Sequence, residues 1–450
     1  MSFRKDFLWG SATASYQVEG AWNNFKQPSI WDIFSHEGAH IKDGGSGDVT
    51  CSHYNLYKED VSLMASLGLK AYRFSIAWTR IFTFDGMGKN GIEYHENPDG
   101  IAFYNALIDE LVKNNITPFI TLYHWDLPYA LHLRGGWLNR DSSVWFEDYA
   151  RTVGKLFGDR VKHFITFNEP SIFTGLGYMQ GVHAPGFKLD TSDLLNLCHN
   201  VQLSHGKAVK ALRETVENCS VGITLATSPV IPSSLEKLTV EQSYNVYFSC
   251  SKDNFVWSES FWVDPLILGE YPKEFVKEVS DFSGAEIFNQ EDLKEINVPL
   301  DFIGLNIYSG RYYGEEKRPF GSPHTDTGWD ITPEALRWGP EHFYKRYKLP
   351  VYITENGMAC LDSVFVDGKI HDAERIDYLT RYLRCLKEAC ENGCDIRGYF
   401  MWSFMDNFEW AEGFSRRFGM VYVDYKTLER IPKDSALWYS NVVKTNGEEL

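Results

Sequence analysis

The chain of 450 residues contains no run of about 18 uninterrupted apolar residues, so no segment of it reads as a membrane span. Its first residues, Met1-Ser2-Phe3-Arg4-Lys5-Asp6-Phe7-Leu8-Trp9-Gly10, carry charges with no apolar stretch of leader length behind them. Cysteine is scarce, at 8 residues, which argues against a disulfide scaffold and for reduced thiols. Cys385, Cys390 and Cys394 fall close together on a predicted helix, yet no second ligand cluster with finger-like spacing accompanies them, so no metal site is expected. Basic residues are outnumbered, with 44 Lys and Arg against 61 Asp and Glu. The resulting formal charge of −17 lacks the basic footprint that a nucleic-acid binder needs. No glycine-rich phosphate loop or dinucleotide fingerprint follows any predicted strand, which disfavours a nucleotide cofactor. Low-complexity linkers and composition breaks are missing too. These absences leave a cytoplasmic globular protein, with neither membrane nor nucleic acid among its expected partners.

What is present is a large apolar inventory: 44% hydrophobic residues, with aromatics alone at 15%, enough for a sizeable core. Short β-rich runs recur along the chain at Phe7–Ser15, Lys70–Trp78, Thr117–His124, His163–Glu169, Val221–Thr227, Leu300–Tyr308, Pro350–Asn356 and Ile396–Phe404. Amphipathic stretches alternate with them, including Tyr54–Leu67, Ala102–Lys113, Ser143–Phe157, Leu194–Glu217 and Asp372–Glu391. Strands alternating with helices predict a parallel sheet, and eight such units fit a closed barrel better than an open sheet. The expected fold is therefore α/β, a single (β/α)8 TIM barrel with elaborated βα loops. It would occupy residues 1–450 as one unit, although length alone suggests two or three domains.

Nearly every predicted strand ends in polar or aromatic residues: Tyr16-Gln17, Trp78, His124-Trp125, Asn168-Glu169, Asn306-Ile307-Tyr308, Glu355-Asn356 and Trp402. A barrel gathers all such ends on one face, where its active site lies. Two ends carry a carboxylate beside an asparagine, in Ile165-Thr166-Phe167-Asn168-Glu169-Pro170 and Val351-Tyr352-Ile353-Thr354-Glu355-Asn356-Gly357. Far apart in sequence, they meet only if strands four and seven close around a common mouth. Paired carboxylates are the working parts of glycoside hydrolysis, one protonated to assist departure and one ionised to attack. A separation of about 5–5.5 Å gives retention of configuration, and the like charges raise one pKa. Read singly, each glutamate is equally well a helix cap or an arginine partner.

These two segments resemble the signatures of glycoside hydrolase family 1, the β-glucosidase family. The likeness extends over almost the whole chain. It starts at Phe7-Leu8-Trp9-Gly10-Ser11-Ala12-Thr13-Ala14-Ser15-Tyr16-Gln17-Val18-Glu19-Gly20 and continues through Arg73-Phe74-Ser75-Ile76-Ala77-Trp78 and Tyr123-His124-Trp125-Asp126-Leu127-Pro128. It ends near Trp402-Ser403-Phe404-Met405-Asp406-Asn407-Phe408-Glu409-Trp410 and Arg417-Phe418-Gly419.

The resemblance implies Glu169 as acid/base and Glu355 as nucleophile. It implies that Asn168 bonds the sugar 2-hydroxyl, and that Arg73 and Tyr308 keep Glu355 anionic. Gln17, His124, Glu409 and Trp410 would hold the nonreducing sugar over Trp402, with Trp329 on the leaving-group side and Asn306 at a polar strand end. Phosphoglycoside-cleaving relatives replace the Glu409-Trp410 pair and add a basic grip, so an unphosphorylated β-glucoside is expected, with Arg416 and Arg417 as the residues that speak against it. Side activity on β-galactosides and β-fucosides and transfer to sugar acceptors are also implied, with no cofactor. Trp9, Trp31, Trp145 and Trp257 are expected as core or helix-packing residues, and His132, His199 and His205 in structural or surface roles. The competing reading is a noncatalytic carbohydrate-binding barrel, which would keep Trp402 and Gln17 without needing both glutamates.

Overall fold

A computed structural model describes residues 3–88, 91–280, 288–314 and 320–450. Met1 and Ser2 of the N-terminal reading lie outside these. Eight strands form a closed parallel barrel: β1 Leu8–Ala12, β2 Ala71–Ser75, β3 Thr117–Tyr123, β4 His163–Asn168, β5 Ser220–Ala226, β6 Phe302–Asn306, β7 Val351–Asn356 and β8 Ile396–Trp402. Neighbours in sequence are neighbours in the barrel, and β1 closes it by pairing with β8, Leu8 opposite Gly398 and Ala12 opposite Trp402. Each strand falls inside its predicted run or within a residue of it. Most of the observed strands are shorter, largely because the predicted runs included the first residues of the loops that carry the site; the fifth keeps its predicted length, shifted by one residue.

The strands read as apolar runs because both faces are covered. Inside the barrel, Ala71, Phe119, Ile165, Phe302, Tyr352 and Phe400 form a separate apolar cluster. Phe119 stacks on His163 at 4.2 Å and meets Phe400 edge-on at 4.9 Å. Rings of this size fit because facing positions are glycine. A Cβ on Gly10 would sit 2.8 Å from the Phe400 ring and 2.7 Å from the Ala71 carbonyl. The outer face packs against amphipathic helices, among them His53–Ser66, Pro98–Lys113, Ser142–Phe157, Thr191–Thr215, Ala335–Tyr347, Ala373–Glu391 and Asp434–Lys444. Their starts are set locally: Asn97 caps the second with Pro98 in its first turn, and Asp190 accepts from the Asp193 amide at 2.9 Å to cap the fourth.

The connections at the C-terminal ends of the strands are elaborated. They carry the hairpin Phe82–Gly88 with Gly91–Glu96, the π-turn Gly175–Gln180, and the hairpin Val421–Val423 with Arg430–Pro432. The β5–β6 connection holds the helices Lys237–Tyr247, Glu259–Ile267, Lys273–Val279 and Gln290–Ile296. Among the described residues no helix is long and apolar enough to cross a membrane, and no group of three or more His, Cys, Asp and Glu has the geometry to hold a metal ion. The eight cysteines are free thiols.

Candidate active site

The C-terminal strand ends surround a cavity of about 770 Å³. Glu169, from the end of β4, and Glu355, from β7, both line it. Their surroundings differ. Glu355 Oε1 accepts from Arg73 Nη1 at 2.7 Å, and its Oε2 accepts from the Tyr308 hydroxyl at 2.7 Å. Arg73, fully buried on β2, also donates from Nε to Thr121 at 3.0 Å and from Nη2 to Asn168 Oδ1 at 2.5 Å. Among the described residues, Glu169 Oε1 receives only the Asn306 amide, at 2.7 Å. Asn306 is oriented for this because its Oδ1 accepts from Thr354 at 2.7 Å.

Electrostatics follow from that inequality. Burial, then the charge of Glu355, pushes the Glu169 carboxyl up to about 8. Burial also raises Glu355, but the Arg73 charge and the hydrogen bonds from Tyr308 and Arg73 pull it back, so the shared proton resides on Glu169. Burial and the same glutamate hold the Tyr308 phenol well above its ordinary range, so it stays a donor.

Three non-glycine residues at the mouth have left-handed backbone. Glu169, Trp125 and Trp410 adopt φ of +51°, +80° and +48°, left-handed conformations that cost a non-glycine residue of order 1 kcal/mol or more. At Glu169 the turn is fixed by its amide bonding to the Thr224 carbonyl at 2.8 Å and by Pro170 opening the helix Pro170–Thr174. The chain thus leaves the strand sharply and turns its carboxyl into the mouth.

Among the described residues, the buried polar atoms at or near the cavity that have no partner include His124 Nδ1, Glu409 Oε2 and Gln17 Oε1. Their character is set by the network. Asn168 Oδ1 accepts from Arg73 and Asn306, so its Nδ2 is the donor to His124 Nε2 at 3.0 Å. Burial and the Arg73 charge hold His124 well below its ordinary pKa, so it is neutral and Nδ1 carries the hydrogen. Gln17 spends its amide hydrogens on Phe408 O at 2.8 Å and Asn407 Oδ1 at 3.1 Å, leaving an acceptor. Glu409 is pushed up to about 8 by burial, then by the Glu355 charge. A donor, an acceptor and a carboxyl beside the aromatic plane of Trp402 match a polyhydroxylated ring with an apolar face. Trp410 is locked by Trp125 at 4.5 Å and Trp31 at 4.6 Å.

Trp329 borders the opening, 40% exposed, with Tyr308 at 5.2 Å and Phe418 at 5.9 Å. Arg416 reaches the rim but is engaged by Asp326 at 2.6 Å and Glu412 at 3.0 Å, and Arg417 binds Asp406 at 2.6 Å away from the cavity. All the residues predicted for the site line the cavity except Arg73, which bonds the lining residues Glu355 and Asn168, and Gln17, which bonds Asn407 and Phe408 just before Glu409. Trp9 and Trp31 are buried as expected, and Trp145 packs half-buried against the core. Trp257 is a correction: it is 36% exposed and lines the cavity. A Cβ on Gly175 would meet its ring at 2.1 Å, so the missing side chain there lets the indole lie across the short helix after Glu169. His199 and His205 are buried structural residues, bonded to Asp292 and Thr166, and His132 is half-buried. Sequence reasoning missed Thr227, Tyr247, Asn254 and Glu259, which also line the cavity. Thr227 carried a usable signal, since it ends the fifth predicted strand.

The family profile described as glycosyl hydrolase family 1 matches residues 1–448. Beta-glucosidase A of Thermotoga maritima is 44% identical over 99% of both chains, and the 1,4-beta-D-glucan glucohydrolase of Thermotoga neapolitana is 43% identical over 99% of both. A solved structure of the family 1 β-glucosidase from Thermotoga maritima in complex with isofagomine lactam superposes with a TM-score of 0.89 at 43% identity, covering 99% of each chain.

Proposed function

Because the chain belongs to glycosyl hydrolase family 1, a family of retaining O-glycoside hydrolases, we propose that it is a β-glucosidase that cleaves unphosphorylated β-D-glucosides by double displacement. The observation that carries the assignment of roles is the unequal environment of the two carboxyls. Glu355, held by Arg73 and Tyr308, attacks the anomeric carbon as an anion, while Glu169 gives its proton to the departing oxygen. The C1–oxygen bond breaks as the C1–Glu355 ester forms. Having lost its proton, Glu169 then takes one from water, whose oxygen displaces Glu355 and leaves β-configured sugar. Asn168, fixed by Arg73 and Asn306, offers its amide beside the sugar 2-hydroxyl.

Gln17, His124, Glu409 and Trp410 receive the hydroxyls of the nonreducing sugar over Trp402. Glu409, a buried carboxyl rather than a cation, gives a 6-phosphate no counter-charge, and Arg416 at the rim is already paired with Asp326 and Glu412. β-Galactosides and β-fucosides share most of these contacts and are secondary substrates. A sugar hydroxyl replaces water as acceptor at high sugar concentration. Product NMR during early turnover of an aryl β-glucoside tests the proposal: β-glucose appears first, and initial α-glucose or no cleavage overturns it.

A further inference from the structure

On the reading just given, the cavity of about 770 Å³ is larger than one pyranose requires, and part of its wall adjoins Asn306, the residue that holds Glu169. The wall there is built by the β5–β6 connection. Thr227, the first residue past β5, donates its amide to the Asn306 carbonyl at 3.0 Å, directly beside the residue that holds Glu169. Its hydroxyl is bonded both to the Tyr247 hydroxyl and, at 2.5 Å, to Glu259 Oε1. Glu259 opens the helix Glu259–Ile267, is half-buried, and lines the cavity beside Trp257. Among the described residues it has no ion-pair partner. The Arg311 charge on the same cavity wall offsets only part of the cost of burying this carboxyl, and a hydroxyl would serve Thr227 as well. Its worth lies toward the cavity. Burial pushes it up to about 8, so near neutral pH it keeps its proton and both donates and accepts.

We infer that Glu259 is a specificity-determining residue of the leaving-group end of the cavity, hydrogen-bonding a hydroxyl of a leaving sugar whose apolar face lies against Trp257. The inference rests on the β-glucosidase reading. A sugar leaving group presents hydroxyls at its edge and C–H groups on its face, which fits a carboxyl beside an indole. An aryl leaving group uses the indole alone. Glu259 therefore separates glycosides of sugars from glycosides of phenols without acting on the bond that breaks.

The test compares kcat/KM for cellobiose and for 4-nitrophenyl β-glucoside in the wild-type protein, Glu259→Leu and Glu259→Gln. In Glu259→Leu the ratio of the two falls roughly tenfold, the loss expected when a polar contact to a substrate hydroxyl is removed. In Glu259→Gln, which keeps a donor and an acceptor, the ratio stays within about threefold of wild type. A second readout uses the enzyme trapped as its 2-deoxy-2-fluoroglucosyl ester by 2,4-dinitrophenyl 2-deoxy-2-fluoro-β-glucoside, whose dinitrophenolate departs from C1. Added cellobiose accelerates its reactivation in wild type, and Glu259→Leu loses that acceleration while reactivating normally in water. An unchanged ratio, or equal losses on both substrates, overturns the inference. A wild-type protein that cleaves neither substrate overturns the parent reading along with it.

Discussion

Glu169 and Glu355 sit in one cavity yet predict different mutant behaviour, because only one of them touches the anomeric carbon. Glu355→Ala removes the attacking group and the acceptor of both Arg73 and Tyr308. Hydrolysis falls by several orders of magnitude for every substrate, and azide restores partial turnover by attacking from the vacated side, giving the α-glycosyl azide. Glu169→Ala removes only the proton donor for departure. Substrates with activated phenol leaving groups keep far more of their first-step rate than alkyl glucosides, whose departing oxygen needs that proton. Equal losses in Glu169→Ala across a series of leaving groups of increasing pKa, measured by stopped-flow, would contradict its role as acid. The two glutamates were legible from sequence because each ends an apolar strand beside an asparagine. The unpaired Nδ1 of His124 and Oε1 of Gln17 were not, since they depend on which partners fold against the other end of each side chain.

At the scale of elements, the barrel strands stood out because burial on both faces strips them of polar residues. The apolar runs at β4 and β7 therefore matched the observed strands to within a residue at each end, while the run at β2 overran its strand by three residues into the following turn. The β5–β6 connection did not stand out as part of the site. Its residues reach the cavity from short helices whose positions are fixed by tertiary packing, as when Gly175 admits the Trp257 ring. A tryptophan read from sequence alone defaults to the core, which is how Trp257 was misplaced. The interior layer makes its own prediction. Gly10→Ala drives a methyl against the Phe400 ring and the Ala71 carbonyl, and costs about 1–3 kcal/mol as overpacking. Phe400→Leu in the same chain recovers part of that loss, because it relieves the ring contact and leaves the carbonyl contact. A urea-unfolding double-mutant cycle measures the coupling, and strictly additive losses would mean the two positions do not compete for the same space.

For the whole molecule, the buried acids and histidines set opposing pH trends. Glu169, Glu259 and Glu409 are raised to about 8 and Asp126 to about 7, with burial the largest cause in each. Above their ordinary values of 4.5 and 3.8 the folded protein binds more protons at these sites than the unfolded chain, so stability falls as pH rises through their folded pKa values. The buried histidines do the reverse. His205 is lowered to about 3, and His163, His183 and His342 to about 4, again by burial. Below 6.5 the unfolded chain binds the extra protons at these sites, so stability rises with pH up to that point. The two sets largely offset one another between about pH 4.5 and 6.5, and only the acids act above it. Thermal midpoints at fixed scan rate therefore peak near pH 6.5 and decline toward pH 8, with a slope of at most about 1.4 kcal/mol per pH unit for each acid. Glu409→Gln cannot ionise, so it flattens that decline and steepens the rise between about pH 4.5 and 6.5 that Glu409 had opposed. A midpoint that keeps rising from pH 6.5 to 8 would mean that these carboxyls ionise in the folded protein at ordinary values. The protonated Glu169 on which the catalytic proposal depends would fall with them.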